Sequence, residues 1–119
     1  MLRKNILAKR HGTKRRAIRT RAKIHGTATR PRFTVFRSDK HISAQLINDD
    51  TGTTLCASSD IKMPKSDKPI VRAALVGEQV AKAAVALGVT TAIFDRGSFL
   101  YHGRVAAVAE AARANGLQF

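Results

Sequence analysis

Residues 32–59 decide the fold, and they read RFTVFRSDKHISAQLINDDTGTTLCASS. The run Arg32 to Arg37 is rich in aromatic and β-branched residues, which is typical of a strand. The runs His41 to Ile47 and Thr53 to Ser59 alternate apolar and polar residues, as half-buried strands do. SDK and NDDTG, which separate the three runs, are turn sequences. The stretch therefore predicts a three-strand antiparallel meander.

The hydrophobic period changes after the meander. Apolar residues recur at helical spacing from Ile70 to Leu87, which predicts a long helix. Ser66 or Asp67 is a suitable N-cap, and Gly88 is a suitable C-terminal stop. The loop before this helix, residues 60–68, contains no recognisable motif.

Two further elements complete the chain. Val89 to Phe94 is short and nearly all apolar, which predicts a strand buried on both faces. Gly103 to Asn115 is rich in alanine and predicts a second helix. The fold class is therefore α/β, in the order β-β-β-α-β-α. A chain of 119 residues favours one globular domain, residues 32–119, and we expect residues 1–31 to be a separate basic arm.

The charge is concentrated in that arm. Residues 1–32 contain 12 Lys and Arg and no acidic residue, whereas the rest of the chain contains 10 Lys and Arg and all 8 acidic residues. A net charge of +14 distributed in this way indicates a polyanionic partner. The predicted nucleic-acid-binding residues of this segment are Arg3, Lys4, Lys9, Arg10, Lys14, Arg15, Arg16, Arg19, Arg21, Lys23, Arg30 and Arg32.

Other interpretations of the arm are weaker. A plain solvated tail would not need so long a run without acids. A mitochondrial presequence or a membrane-surface helix needs an apolar face, and the first 32 residues contain no aromatic residue. Repulsion between like charges opposes order in the isolated arm, and the phosphates of a nucleic acid would remove that repulsion. The arm could then form a helix, because Ile18 and Ala22 have the i,i+4 spacing of residues on one helix face.

The composition argues against catalytic, metal and membrane functions. One cysteine, Cys56, excludes an internal disulfide and a cysteine-rich metal site, and the four histidines lack metal-ligand spacing. The acidic residues lie mostly in predicted turns, so the convergent carboxylates of a two-metal nuclease are not indicated. No charge-free apolar stretch reaches the length of a membrane span. We expect no catalytic residues, metal, cofactor, small-molecule substrate or membrane partner, and a reducing, cytoplasmic location.

The segment DRGSFLYHGR, residues 95–104, is the second candidate for RNA contact. It leads from a predicted strand into the start of a helix, where free backbone N–H groups favour phosphate. We predict RNA contacts from Arg96, Tyr101, His102 and Arg104. Tyr101 could stack on an unpaired base or pack at the rim of the core, and His102 could instead cap the helix. We expect Asp95 to orient Arg96.

The predicted turn between the first two strands is the third candidate. Arg37, Lys40 and His41 lie there, so we predict RNA contacts from these three residues. The alternative is that the turn carries ordinary solvated charges. A general nucleoid-type binder of nucleic acid is the alternative function that uses the same charges.

Three stretches resemble a known family. KRRAIRTRAKIHGTATRPR (residues 14–32), RFTVFRSDKHISAQLI (residues 32–47) and FDRGSFLYHGRVAAVAEAARANGLQF (residues 94–119) are similar to bacterial large-subunit ribosomal protein L-eighteen. The resemblance covers essentially the whole chain. It implies the fold read above with a basic N-terminal extension. It also implies binding to 5S rRNA in the central protuberance of the large subunit, near 23S rRNA and neighbouring ribosomal proteins.

Overall fold

The computed structural model describes residues 12–19, 21–22, 24–64 and 67–119. Residues 12–19 are helical and are called the arm helix below. The body follows the predicted order: β1 (Arg32–Arg37), β2 (Ile42–Asn48), β3 (Thr53–Ser59), α1 (Pro69–Ala86), β4 (Ile93–Asp95) and α2 (Gly103–Ala114). The predicted fold class is confirmed. None of the helices in the described ranges is long and apolar enough to cross a membrane.

The four strands form one mixed sheet in the order β3-β2-β1-β4. β1 is antiparallel to β2, with Phe33 opposite Leu46 and Val35 opposite Ala44, and these four side chains are buried. β4 runs parallel to β1, as a strand reached through a crossover helix must. The strict alternation in β1 and β2 separates a core face from a polar face.

Both body helices lie on the core face. Val76 and Val80 of α1 and Val105 and Val108 of α2 belong to the same buried cluster as the inward residues of β1 and β2. The opposite face, called the open face below, carries Arg32, Thr34 and Phe36 of β1. Thr13 and Ala17 of the arm helix line a cavity together with Thr34 and Phe36, so the arm helix lies beside the open face.

The two body helices approach each other closely at Gly77. A Cβ added at this glycine would collide with the main-chain carbonyl oxygen of Val108. Glycine lowers helix propensity, but here its missing side chain permits the backbones to meet. Gly77 therefore stabilises the contact between α1 and α2 because it has no side chain, although it lowers the helix propensity of α1.

The fourth strand differs from its prediction. It covers only Ile93–Asp95 and lies at the edge of the sheet, and Ile93 and Phe94 are half-buried. The preceding residues bond to the C-terminus instead: Ala92 N–H donates to Gln118 O at 2.9 Å, and Gln118 N–H donates to Thr90 O at 2.8 Å. The expectation of a strand from Val89 buried on both faces is wrong. The first part of the apolar run pairs with Gln118 near the C-terminus, and only Ile93–Asp95 pair with β1.

The start of α1 is the other difference. Lys68 is the N-cap residue and makes no side-chain capping bond, and Pro69 is the first helical residue. Asp67 is thus not the N-cap, and Ser66 lies outside the described residues. Proline fits here because the first N–H of a helix has no intrahelical partner. The predicted stop is confirmed, since Gly88 has a φ of +80°.

Candidate nucleic-acid interface

The arm helix and the body together form an arginine-lined groove. Arg16 and Arg19 of the arm helix face Arg37 at the end of β1 and Arg96 in the loop after β4. The cavity between them has a volume of about 680 Å³, and its lining is completed by Thr13, Gly97, Ser98, Phe99, Leu100 and His102. None of these lining residues is acidic. We call this cavity the arginine groove.

An aromatic ring, that of Phe99, lines the arginine groove, and the ring of Phe36 on the open face packs against it. Phe36 is 65% exposed, and its ring meets the edge of Phe99 with centroids 6.1 Å apart. The Arg37 guanidinium lies 5.4 Å from the centre of the Phe99 ring. A guanidinium and flat rings side by side suit a nucleotide, because they offer partners for both phosphate and base.

Phe36 and Phe99 are not among the contact residues predicted from the sequence. The signal for Phe36 was present, since period-2 alternation places it on the face opposite Phe33 and Val35. The signal for Phe99 was absent, because only the folded loop brings it to the end of β1.

The hairpin turn and the loop before α2 meet at the same end of the molecule. Arg104 Nη2 donates to Ser38 O at 3.2 Å. Arg96 Nη1 donates to Phe99 O at 3.1 Å within its own loop, and Arg96 is exposed. Two predicted RNA-contact segments are thus brought together, although one N–H group of Arg104 is already bonded to the protein.

Three aspartates bind predicted contact residues. The Arg32 side chain is 13% exposed, and its Nη1 donates to Asp95 Oδ2 at 2.9 Å. Its Nε donates to Asp49 Oδ2 at 3.1 Å. Burial alone would lower the pKa of Arg32, but the hydrogen bonds and charges of the two aspartates outweigh burial and raise it. Asp95 therefore holds Arg32 and, through Gly97 N–H at 2.9 Å, the loop, rather than orienting Arg96.

His41 is held by the third aspartate. Its Nδ1 lies 3.1 Å from Asp60 Oδ1, and Asp60 is 1% exposed and also accepts from Ile42 N–H at 3.0 Å. Arg72 Nη1 lies 3.7 Å from the other oxygen. The ring of His41 thus joins the β1–β2 turn to the residue that follows β3, and part of the ring stays accessible to solvent.

Tyr101 and His102 differ in how many contacts their side chains make with the rest of the protein. The Tyr101 ring meets Phe94 edge-on at 5.9 Å, and Arg113 Nη1 lies 3.3 Å from its hydroxyl. Its remaining 43% exposure is compatible with both of the interpretations left open by the sequence. His102 is the N-cap residue of α2 but makes no side-chain capping bond, so its ring is available at the arginine groove.

The other predicted cations divide into three groups. Lys14, Arg15, Arg30 and Lys40 are exposed. Arg21 is half-buried, and its Nη1 donates to Ile24 O at 2.6 Å. Arg3, Lys4, Lys9, Arg10 and Lys23 lie outside the described residues.

The described side chains do not converge on a metal site or a reactive thiol. Within the described ranges, His, Cys, Asp and Glu side chains form no cluster of three that could hold a metal ion. Cys56 is half-buried in β3, with its Sγ 3.8 Å from Val80 O. Burial raises the pKa of its thiol, which disfavours the nucleophilic thiolate. The arrangement presents cations and rings for binding, not a set of reacting groups.

The chain is similar to proteins of one family over most of its length. Residues 7–119 match the family described as "Ribosomal L18 of archaea, bacteria, mitoch. and chloroplast". Among curated relatives, each called "Large ribosomal subunit protein uL18", that of Thermomicrobium roseum is 50% identical and aligns with 89% of this chain and 90% of its own. That of Mesoplasma florum is 47% identical, with coverages of 93% and 96%. That of Lacticaseibacillus casei is 54% identical, with coverages of 88% and 90%.

Proposed function

Because this chain belongs to the L18 family of ribosomal proteins, we propose that it binds 5S rRNA and helps to attach that RNA to 23S rRNA in the central protuberance of the large subunit. The family consists of structural components of the ribosome and not of enzymes. The ribosome is accordingly its location, and neighbouring large-subunit proteins are its further partners.

The arginine groove is the observation that supports RNA binding most directly. It collects cations from two distant parts of the chain, Arg16 and Arg19 from the arm helix and Arg37 and Arg96 from the body, with no acid in its lining. Cations that converge on one cavity can contact successive phosphates of a folded RNA strand. Arginine is suited to this task because its planar fork binds phosphate oxygens in pairs.

We assign different tasks to arm and body. Residues 1–31 would supply most of the affinity, since phosphate contacts with Lys and Arg dominate the free energy of binding and are independent of sequence. The body, residues 32–119, would supply discrimination through Phe36, Phe99 and Tyr101. RNA is recognised largely by shape and by bases stacked on aromatic side chains. Phe36 lies on β1, and Phe99 and Tyr101 lie in the loop between β4 and α2.

A competition experiment tests the proposal. Labelled 5S rRNA bound to the full-length protein is challenged with unlabelled 5S rRNA, with an unrelated structured RNA of the same length, and with duplex DNA. Unlabelled 5S rRNA should compete at much lower concentration than the other two. Equal competition by all three would contradict specific 5S binding and would instead support a general nucleic-acid binder.

A further inference from the structure

Asp49 is the acidic residue that joins the basic arm to the body. It follows β2 directly, and its side chain is 10% exposed. Its carboxylate accepts from Gly26 N–H at 2.8 Å, from Arg21 Nη2 at 3.2 Å and from Arg32 Nε at 3.1 Å. Its own N–H donates to Gly26 O at 2.9 Å. Among the described residues, each donor to this carboxylate belongs to residues 21–32, the segment by which the arm leaves the sheet.

Gly26 fixes the path of that segment. The residue is buried, and a Cβ added to it would collide with Arg32 N and with Ile47 O. The chain at Gly26 therefore rests directly on the backbone of β1 and β2. His25 adds a second bond beside it, since its Nε2 lies 2.6 Å from Asp50 Oδ1.

The position of the arm determines whether the arginine groove exists. Arg16 and Arg19 come from the arm helix, whereas Arg37 and Arg96 come from the body. If the arm could leave the sheet in any direction, these four cations would meet only in a fraction of the molecules. Fewer of these cations would then contact the RNA in the average complex, which lowers the affinity for RNA.

We propose that Asp49 is a positioning residue for RNA binding. Its acidic side chain increases the affinity for RNA by holding residues 21–32, which we call the arm root, on the sheet. This inference rests on the proposed function. It runs against the simple electrostatic rule that an acidic residue weakens binding to a polyanion. Burial would raise the pKa of Asp49, but hydrogen bonds from Arg32 and Gly26 and the charges of Arg32 and Arg21 outweigh it and lower the pKa, so the carboxylate is ionised at neutral pH.

The test compares two variants of the full-length protein that each remove one negative charge. Asp49→Asn raises the net charge from +14 by one unit, and so does Glu110→Gln, which alters an exposed residue of α2. Asp49→Asn should bind 5S rRNA about three- to tenfold more weakly than the wild type, because fewer cations of the arm then reach the RNA phosphates. Glu110→Gln should bind equally well or slightly better. Equal or tighter binding by Asp49→Asn would overturn the proposal.

The salt dependence separates positioning from mere loss of stability. A misplaced arm makes fewer phosphate contacts, so the slope of log K against log salt should become shallower for Asp49→Asn despite its higher charge. Partial unfolding would lower the active fraction and leave the slope unchanged, and that result would also count against positioning. The comparison is relative to the wild type on the same RNA, so it remains readable if 5S rRNA proves not to be preferred.

A second variant and a measurement on the wild type complete the test. Gly26→Ala changes no charge but forces the arm root off the sheet, so it should weaken binding and reduce the slope in the same way. In the wild-type protein, amide hydrogen exchange of Gly26 should be slow because its N–H is bonded to Asp49. Rapid exchange at Gly26, like that of an unbonded amide, would contradict the proposed contact between Gly26 and Asp49 even if both variants failed to fold.

Discussion

Arg104 at the start of α2 donates a hydrogen bond of 3.2 Å to the main-chain oxygen of Ser38 in the β1–β2 turn. The two residues are 66 positions apart, and both of their segments carry predicted RNA contacts. The bond ties the turn to the start of α2, beside the loop from which Arg96 lines one groove with Arg37. The candidate interface is therefore a property of the folded sheet end and not of one segment.

The binding of 5S rRNA should depend strongly on salt. If the interface makes ~6 phosphate contacts, counterion release predicts a slope of log K against log salt of about −4 to −5. Filter binding or fluorescence anisotropy over a range of potassium chloride concentrations measures the slope. A slope near zero would mean that phosphate contacts are not the source of affinity.

Removing one groove arginine should weaken binding more than removing a remote lysine. Arg96→Gln removes an exposed cation of the arginine groove, and we expect a loss of about 1 kcal/mol, or about fivefold in Kd. Lys82→Gln is the matched control, because Lys82 pairs with Glu78 on the surface of α1 and lies outside the groove lining. The same titration measures both. Equal losses would show that only the total charge matters.

Removing the exposed ring of Phe36 should lower affinity without lowering stability. The side chain is 65% exposed, so Phe36→Ala should leave the melting temperature nearly unchanged. Loss of one base stacked on an aromatic ring costs about 1–3 kcal/mol of binding free energy. Leu87→Ala, at a residue 60% exposed at the end of α1, is the control and should bind as the wild type does. An unchanged Kd for Phe36→Ala would exclude stacking at this ring.

Gly77→Ala should destabilise the protein although alanine is the better helix former. In an exposed helix the substitution would be favourable by about 1 kcal/mol, but here the new Cβ meets the Val108 carbonyl. Overpacking of this kind costs about 1–3 kcal/mol. Urea unfolding measures the free energy.

Gly12→Ala serves as the reference for that substitution, since the nearest heavy atom to its Cβ would be Arg16 Nη1 at 3.4 Å. It should leave the free energy of unfolding unchanged or raise it by up to about 1 kcal/mol. If Gly77→Ala were as stable as Gly12→Ala, the contact between α1 and α2 would not be as close as the structure has it.

The sequence by itself determined the order of the elements and the faces of the meander. Hydrophobic period is a local signal: alternation at Phe33 and Val35 and helical spacing in α1 follow from which side chains must leave water. The concentration of cations before residue 33 was equally visible. The segments that meet at the groove were each identified as candidates, since turns and helix starts rich in arginine indicate anion binding without reference to the fold.

Only the tertiary structure decided what each charge does. Arg32 and Arg37 begin and end the same strand and look alike in sequence, yet one is held by Asp49 and Asp95 and the other faces the arginine groove. The partner of a side chain depends on contacts between residues far apart in the chain, which no local pattern records. The same holds for the apolar run before Phe94, whose length did not reveal that the C-terminus would pair with its first half. Local periodicity fixes which face a side chain occupies, whereas long-range packing fixes the neighbour that it meets there.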